Sequence, residues 1–162
     1  MFRSALLLAF CALGMSVPAL ARDNLGLYEG WGAFRDPAVP RCYAIAMAEP
    51  STQQRDYQPY ATVGTWPKRG AYAQIHIRVS RVLARDVPIL LKVAGRSFEL
   101  TGGGGDAWPR DGRDNAAILA AMRSGGTMSI SARDAKGRRF GNTWRLAGAA
   151  SAVDAAALGC AR

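Results

Sequence analysis

The sequence predicts an all-β protein, a β-sandwich with one or two short helices near the C-terminal half. Three observations favour this fold class. Short strand-like runs recur along the chain, separated by closely spaced glycine, proline and aspartate turn signals. Helical patterns are confined to two short stretches, residues 111–126 and 149–158. The chain has no internal repeat and no strand-helix alternation of the kind that builds a parallel sheet.

The N-terminal segment, residues 1–21, has the pattern of a secretory signal peptide. It carries one positive charge at Arg3, an apolar stretch over residues 5–15 and a small-x-small end at Ala19-Leu20-Ala21. The apolar stretch is shorter than the roughly 20 residues that span a bilayer, and Pro18 interrupts it. We therefore expect cleavage after Ala21 and a periplasmic or secreted domain comprising residues 22–162. No later stretch is long and apolar enough to predict a transmembrane helix.

Five runs in the first half of the domain can form strands or lead into them. Residues 25–28 are a short lead-in, and residues 31–34 form a strand-like run that ends before Pro37. Residues 41–47 are apolar or small on both faces, which predicts a strand buried on both sides. Residues 60–66 predict the next strand. Residues 73–79 alternate cleanly, which predicts a strand with one solvated face carrying His76.

The second half combines hairpins with the two helices. Residues 88–93 and 97–100 predict a hairpin, and Gly102 to Gly105 predict a loop. Aspartates at 111 and 114 can cap a helix that stops at Gly125 and Gly126. Residues 127–132 and 139–146 predict a second hairpin, and the alanine-rich stretch 149–158 predicts the last helix.

Two cysteines are expected to remain after cleavage, Cys42 and Cys160. An even pair in an exported chain predicts a disulfide rather than reactive thiols. Such a bridge would close almost the whole domain into one loop, for which chain-entropy arguments give about 4–5 kcal/mol as an upper value.

The charge balance limits the partners that this protein would meet. The chain has 21 Lys and Arg against 12 Asp and Glu, and loss of Arg3 leaves 20 against 12, a formal charge of +8. Outside the cytoplasm the available anions are lipid headgroups, lipopolysaccharide phosphates, cell-wall polymers and host surface polyanions. Anionic polymers or lipids are therefore the expected partners, and nucleic acid is not expected.

The residues do not suggest a catalytic or metal centre. His76 is the sole histidine, no G-x-S-x-G motif occurs, and one histidine with two paired cysteines cannot build a typical zinc site. Asp106, Asp111 and Asp114 could suggest calcium, but helix capping and local ion pairing explain them more simply. The four glycines lack the lysine-plus-hydroxyl ending of a phosphate-binding loop. We expect no cofactor and no metal.

One basic cluster is the best sequence candidate for an anion-binding surface. It surrounds the hairpin after Ala132 and comprises Arg133, Lys136, Arg138, Arg139 and Arg145. Basic residues interleaved with aromatics can bind polyanions. Strand alternation, however, would direct Phe140 and Trp144 to the same face, into the core, and an ordinary solvated hairpin is the alternative.

The order of motifs resembles the bacterial invasion-associated locus B family. The matching segments run from Trp31 to Cys160 and include WGAFRD, RCYAIA, IHIRV, VAGRSFEL, DAW, ILAAMRSGGTMSISA, WRLAGAASAVDAA and GCA. The resemblance implies an exported immunoglobulin-like β-sandwich, linked by the family name to bacterial entry into host cells, with no established catalytic mechanism. The positions that match are structural: Cys42, Phe98, Trp108, Gly125, Leu146, Gly148 and Cys160.

Together these features predict an exported, non-enzymatic binding protein of the cell envelope or the exterior, whose partner is unknown envelope or host-surface material. Two other functions stay open: an envelope hydrolase that uses His76, and a purely structural envelope component.

Overall fold

The computed structural model describes residues 22–161. The expected signal peptide, residues 1–21, lies outside the described residues. The ten strands are β1 (Asp23–Tyr28), β2 (Trp31–Asp36), β3 (Arg41–Met47), β4 (Tyr60–Trp66), β5 (Ala71–Arg78), β6 (Ile89–Val93), β7 (Arg96–Gly103), β8 (Asp106–Pro109), β9 (Thr127–Arg133) and β10 (Arg139–Arg145). The two helices are α1 (Gly112–Ser124) and α2 (Ala149–Cys160). None of the helices within residues 22–161 has the length and apolar character needed to cross a membrane.

All ten strands belong to one antiparallel sheet in the order β1-β2-β3-β4-β5-β8-β7-β6-β9-β10. The sheet folds over so that its last strand lies against its first half. The indole Nε1 of Trp31 in β2 donates a hydrogen bond of 2.9 Å to the carbonyl of Arg145 in β10. The backbone N–H of Glu49 donates to the carbonyl of Thr143 at 2.7 Å. The predicted all-β, sandwich-like fold with two helices in the second half is therefore confirmed.

One hydrophobic core lies between the two halves of the sheet. Its largest side chains are fully buried and come from both halves: Trp31, Ile75 and Ile77 from the first, Leu91, Met128, Ile130 and Trp144 from the second. Phe140 and Trp144 both face this core, as their alternation in β10 predicts. Burial of these large apolar side chains is the main stabilising term of the fold.

Helix α2 packs on strands β1 to β4 and carries one end of the predicted disulfide. Cys42, in the middle of the sheet and fully buried, is bonded to Cys160 with the Cα atoms 5.7 Å apart. The bond joins positions 118 residues apart in the sequence. The disulfide prediction is confirmed, and the bridge fixes the last turn of α2 to β3.

Helix α1 begins and ends where its capping residues predict. The side chain of Asp111 accepts a hydrogen bond of 2.8 Å from the backbone N–H of Asp114, and Gly125 ends the helix. Asn115 then attaches α1 to the sheet: its Oδ1 accepts from the N–H of Ile75 at 2.9 Å, and its Nδ2 donates to the carbonyl of Ala73 at 3.0 Å. The amide side chain thus makes the two hydrogen bonds that a neighbouring strand would otherwise make to Ala73 and Ile75 of β5.

Three local predictions differ from the structure. Residues 23–28 form a full strand, β1, because they pair with β2 along their length, with one irregularity near Gly26. The four glycines do not form a loop: β7 continues to Gly103, and Gly104 and Gly105 make a tight turn into β8, a four-residue strand that the sequence analysis missed. Strand β3 is not buried on both sides, because Met47 is 48% exposed and Ile45 is half-buried.

Candidate functional site

The exposed side of β3 lies on a broad outer face that β2, β3, β4, β5 and β8 form together. Strand register places the outward side chains in three rows across these strands. The rows are Phe34-Tyr43-Gly64-Gln74, Gly32-Ile45-Thr62-His76 and Met47-Tyr60-Arg78-Asp106. Extending the same register sets Trp108 of β8 beside His76. Aromatic side chains therefore recur across a face that also carries hydrogen-bonding groups.

The central part of these rows forms the floor of an open cavity of about 520 Å³, which we call the outer-face groove. Its lining residues come from β3, β4, β5 and β8, together with Arg22, the residue before β1. They are Arg22, Arg41, Tyr43, Ile45, Tyr60, Thr62, Gly64, Trp66, Gln74, His76 and Trp108. The volume is in the range of small-molecule sites, and aromatic walls with a few polar groups are typical of such sites.

Gly64 makes the low point of the outer-face groove. A Cβ atom at this position would lie 2.6 Å from the far edge of the Trp66 ring, so the indole covers the glycine. Gly32 and Phe34 repeat the arrangement in β2, again with a ring atom 2.6 Å from the position of the missing Cβ. Residues i and i+2 of a strand share one face, which lets each aromatic ring cover the bare backbone two residues earlier.

His76 is half-buried at the centre of the outer-face groove. Its Nε2 lies 2.9 Å from Oδ1 of Asp106, and its ring lies 5.2 Å from the ring of Trp108 and 5.8 Å from that of Tyr60, centroid to centroid. The sequence places His76 on the outer side of β5, as observed, but predicts a solvated face. The neighbouring aromatics from β4 and β8 instead leave only 20% of its side chain exposed.

Asp106 connects His76 to Arg78. Its Oδ2 lies 2.5 Å from Nη1 of Arg78, whose guanidinium stacks 4.1 Å from the centroid of the Tyr57 ring. Burial alone raises the pKa of the Asp106 carboxyl, but the hydrogen bonds from Arg78 and His76 outweigh it and hold that pKa below its usual value. The carboxylate is therefore charged at neutral pH and orients both neighbours.

The lowered pKa predicts a contribution to stability at low pH. Because the folded pKa lies below the unfolded value of about 3.9, the ionised Asp106 stabilises the fold above that pH. The stabilisation is lost as the pH falls through the folded pKa. We expect Asp106→Asn to lower the free energy of unfolding at neutral pH and to flatten its dependence on pH below about 4. Urea titrations over this range measure both effects; an acid slope equal to that of the wild type would contradict the assignment.

Two arginines share one carboxylate at the β3 end of the outer-face groove. Arg22 Nε and Arg41 Nη2 lie 3.4 and 3.6 Å from the same Oδ2 of the buried Asp36. Arg41 also stacks over the Tyr43 ring at 4.7 Å, and its Nε has no hydrogen-bond partner among residues 22–161. Two cations on one anion leave a local excess of positive charge beside the aromatic floor.

The basic hairpin predicted from sequence lies elsewhere, and none of its five cations lines the outer-face groove. Arg138 pairs with Asp134 at 2.8 Å, Arg145 with Glu49 at 3.0 Å, and Arg133 donates to the carbonyl of Gly137 at 2.7 Å. Lys136 and Arg139 are exposed. The hairpin thus uses three of its five cations in local contacts.

Asp134 explains why the hairpin turn is well defined. This carboxylate is 3% exposed, accepts the backbone N–H groups of Lys136 and Arg138, and contacts the guanidinium groups of Arg81 and Arg138. Burial by itself raises the pKa of Asp134, and the hydrogen bonds from Arg138 and Lys136 lower it below its usual value. Asp134 thereby holds the turn backbone and both guanidinium groups together.

The three aspartates considered for calcium have separate roles. Asp106 pairs with Arg78 beside the outer-face groove, Asp111 caps α1, and Asp114 pairs with Arg110 at 2.9 Å. Helix capping and ion pairing were the preferred explanation of all three aspartates, and the structure shows one of these roles for each. Among residues 22–161, no three potential metal-ligating side chains of His, Cys, Asp or Glu cluster together.

Comparison of this chain with protein-family models, curated proteins and solved structures gives no match. The similarity to the invasion-associated locus B family therefore stays a prediction that rests on the motifs alone. What the molecule does has to be inferred from its own surfaces.

Sequence reasoning missed the outer-face groove, although one signal for it is present. The tripeptides Gly32-x-Phe34 and Gly64-x-Trp66 each lie within a strand, where glycine is otherwise unfavourable. An aromatic residue two positions after a strand glycine indicates a ring lying flat on the sheet. Two such pairs, on the strands β2 and β4 that flank β3, would have pointed to this face.

Proposed function

We propose that this protein is an exported, non-enzymatic binding protein that holds anionic envelope or host-surface material in the outer-face groove. The observation that carries the proposal is the groove itself, an open aromatic surface with excess positive charge at one end. The pattern of residues 1–21 supports export, and the formal charge of +8 expected after cleavage supports an anionic partner.

The charges of the groove favour a ligand that brings one or more negative groups to the β3 end. There Arg22 and Arg41 are balanced only by Asp36 among the described residues within ion-pair distance. At the centre, Arg78 is neutralised by Asp106, so the middle of the groove offers aromatic surface rather than net charge. A ligand that is anionic along part of its length and neutral elsewhere fits this distribution.

The electrostatic part of the proposal predicts steep salt dependence. Binding of a short sulfated dextran to the mature chain should weaken strongly between low and high ionic strength, because the partly exposed charges that attract it are screened. Surface plasmon resonance or calorimetry at several salt concentrations measures this. Binding that is absent at low salt, or insensitive to salt, would contradict the proposal.

A matched pair of variants separates the two basic surfaces. Arg22→Gln removes a cation at the outer-face groove, whereas Arg139→Gln removes an exposed cation at the hairpin. The proposal predicts a larger loss of affinity for Arg22→Gln. A larger loss for Arg139→Gln would move the binding site to the hairpin.

A hydrolase that uses His76 is the second candidate, because the His76 and Asp106 pair resembles the base and its orienting carboxylate in nucleophilic catalysis. No serine or cysteine is among the residues that line the groove in the described part of the chain. Assays of wild type and His76→Ala on ester, glycan and peptide substrates distinguish the candidates. An activity that is lost in His76→Ala would establish the hydrolase.

A purely structural envelope component is the third candidate. It predicts a stable complex with a defined envelope partner rather than affinity for soluble anionic ligands. Pull-down from envelope extracts, combined with the salt titration above, distinguishes the two functions.

A further inference from the structure

The outer-face groove continues into a second cavity. This neighbouring cavity has a volume of about 330 Å³ and shares Gln74 and Trp108 with the groove. It is lined further by Tyr72, Arg110 and Asn115, between the end of β8 and the start of α1. The two cavities together form one cleft that crosses the sheet, with Trp108 at the junction. A cleft of this form suits an extended ligand rather than a compact one.

Aromatic surface is available along the whole cleft. Tyr72 is 66% exposed in the second cavity, Trp108 is 38% exposed at the junction, and Tyr60 and Trp66 are half-buried in the groove. Large apolar side chains are seldom exposed in a row without a partner. An exposed row of rings of this kind is typical of an interaction surface.

The orientation of the rings narrows the class of ligand. Because Trp66 lies on Gly64, and Phe34 on Gly32, these rings lie along the sheet instead of standing out from it. The face of an aromatic ring is electron-rich, so it attracts the weakly positive C–H groups of a flat partner. The C–H face of a pyranose ring has this shape and polarity, and dispersion contacts over the whole ring add to the attraction.

Hydrogen-bonding groups lie between the rings. Gln74 is exposed, and His76 keeps one ring nitrogen beyond its bond to Asp106. The guanidinium groups of Arg22 and Arg41 lie at one end. Hydroxyl groups around a sugar ring can satisfy such donors and acceptors at the edges while the ring face stacks. A carboxylate on the sugar would complement the two arginines.

We propose that the cleft binds an extended acidic oligosaccharide, with sugar rings stacked on Trp66 and Trp108 and an acidic group near Arg22 and Arg41. The proposal rests on the proposed function and names the ligand class for the same groove. A peptide strand is disfavoured because the backbone groups of β3, β4 and β5 in the floor are already paired with one another. An acyl chain is disfavoured because the cleft is open and interrupted by polar side chains.

The test uses oligogalacturonate, its methyl ester and the galacturonic acid monomer with the mature chain, together with a glycan array of neutral and acidic chains. Calorimetry should show binding of oligogalacturonate, weaker binding of the uncharged ester, and little binding of the monomer. Failure of oligogalacturonate and of every acidic chain on the array would overturn the proposal. If polyglutamate, an anionic polymer without sugar rings, still binds, the general anion-binding function stands and only the sugar specificity is wrong.

Gly64→Ala tests the stacking platform with little disturbance of the fold. The new methyl group meets only the far end of the Trp66 side chain, so the ring must leave its position on the sheet. Gly103→Ala is the matched control, since a Cβ at this strand position meets nothing within 4 Å. We expect roughly ten-fold weaker binding for Gly64→Ala and no change for Gly103→Ala.

Trp108→Ala provides an independent variant at the junction of the two cavities. It should reduce affinity for a long oligosaccharide more than affinity for a short one, because only the long chain crosses Trp108. Equal affinity of wild type, Gly64→Ala and Trp108→Ala for oligogalacturonate, in folded proteins, would place the sugar outside the cleft and overturn the proposal.

Discussion

Replacing Cys42 and Cys160 by alanine is expected to lower the free energy of unfolding by about 2–5 kcal/mol. The bridge restrains positions 118 residues apart, so its loss frees almost the whole unfolded chain. The loss also releases the last turn of α2 from β3, where Cys42 is fully buried. Urea denaturation of the oxidised wild type and the double variant measures the difference.

Reduced wild-type protein is the control for this variant. It carries the same side chains without the bond, so its unfolding midpoint should lie close to that of the double variant. A change of less than about 1 kcal/mol in both proteins would mean that the bridge contributes little and that α2 is held by packing alone.

Replacing Gly148 by alanine is expected to cost about 3 kcal/mol or more. Gly148 precedes α2 with a φ of 81°, in the left-handed region, and a Cβ there would overlap the backbone carbonyl of Tyr28 in β1. Backbone atoms cannot yield as a flexible side chain can. The start of α2 must therefore move away from the sheet.

Gly137→Ala is the matched control for this substitution. Gly137 has a φ of 76°, almost the same conformation, and a Cβ there meets nothing within 4 Å. The free energy of unfolding of Gly137→Ala should fall by only about 1–2 kcal/mol, which is the cost of a left-handed backbone for a residue with a side chain. Equal losses for Gly137→Ala and Gly148→Ala in urea denaturation would show that the contact between α2 and β1 is not sterically fixed.

The sequence predicts most elements of the fold because their signals are local. The cap at Asp111, the stop at Gly125 and the alternation in β9 and β10 each depend on residues next to one another. Strand β8 escapes prediction because four residues ending in proline carry too short a pattern. Strand β1 gains its order from pairing with β2 rather than from its own sequence.

The outer-face groove is not predictable in the same way, because it depends on pairing between distant strands. β5 pairs with β8 rather than with β6, which brings Asp106 and Trp108 beside His76 across about thirty residues of chain. No local pattern encodes that register. The basic hairpin, by contrast, is easy to see in the sequence because its cations are close together along the chain. In the structure, three of these cations are paired with Asp134, Glu49 and a turn carbonyl.

The most direct measurement for the binding site is amide NMR mapping of the mature chain with the short sulfated dextran. We expect the shifted amides to concentrate around Gly64, His76 and Trp108, in the outer-face groove. Little change is expected around Lys136 and Arg139 of the hairpin. Shifts confined to the hairpin, with the groove unaffected, would contradict the central claim.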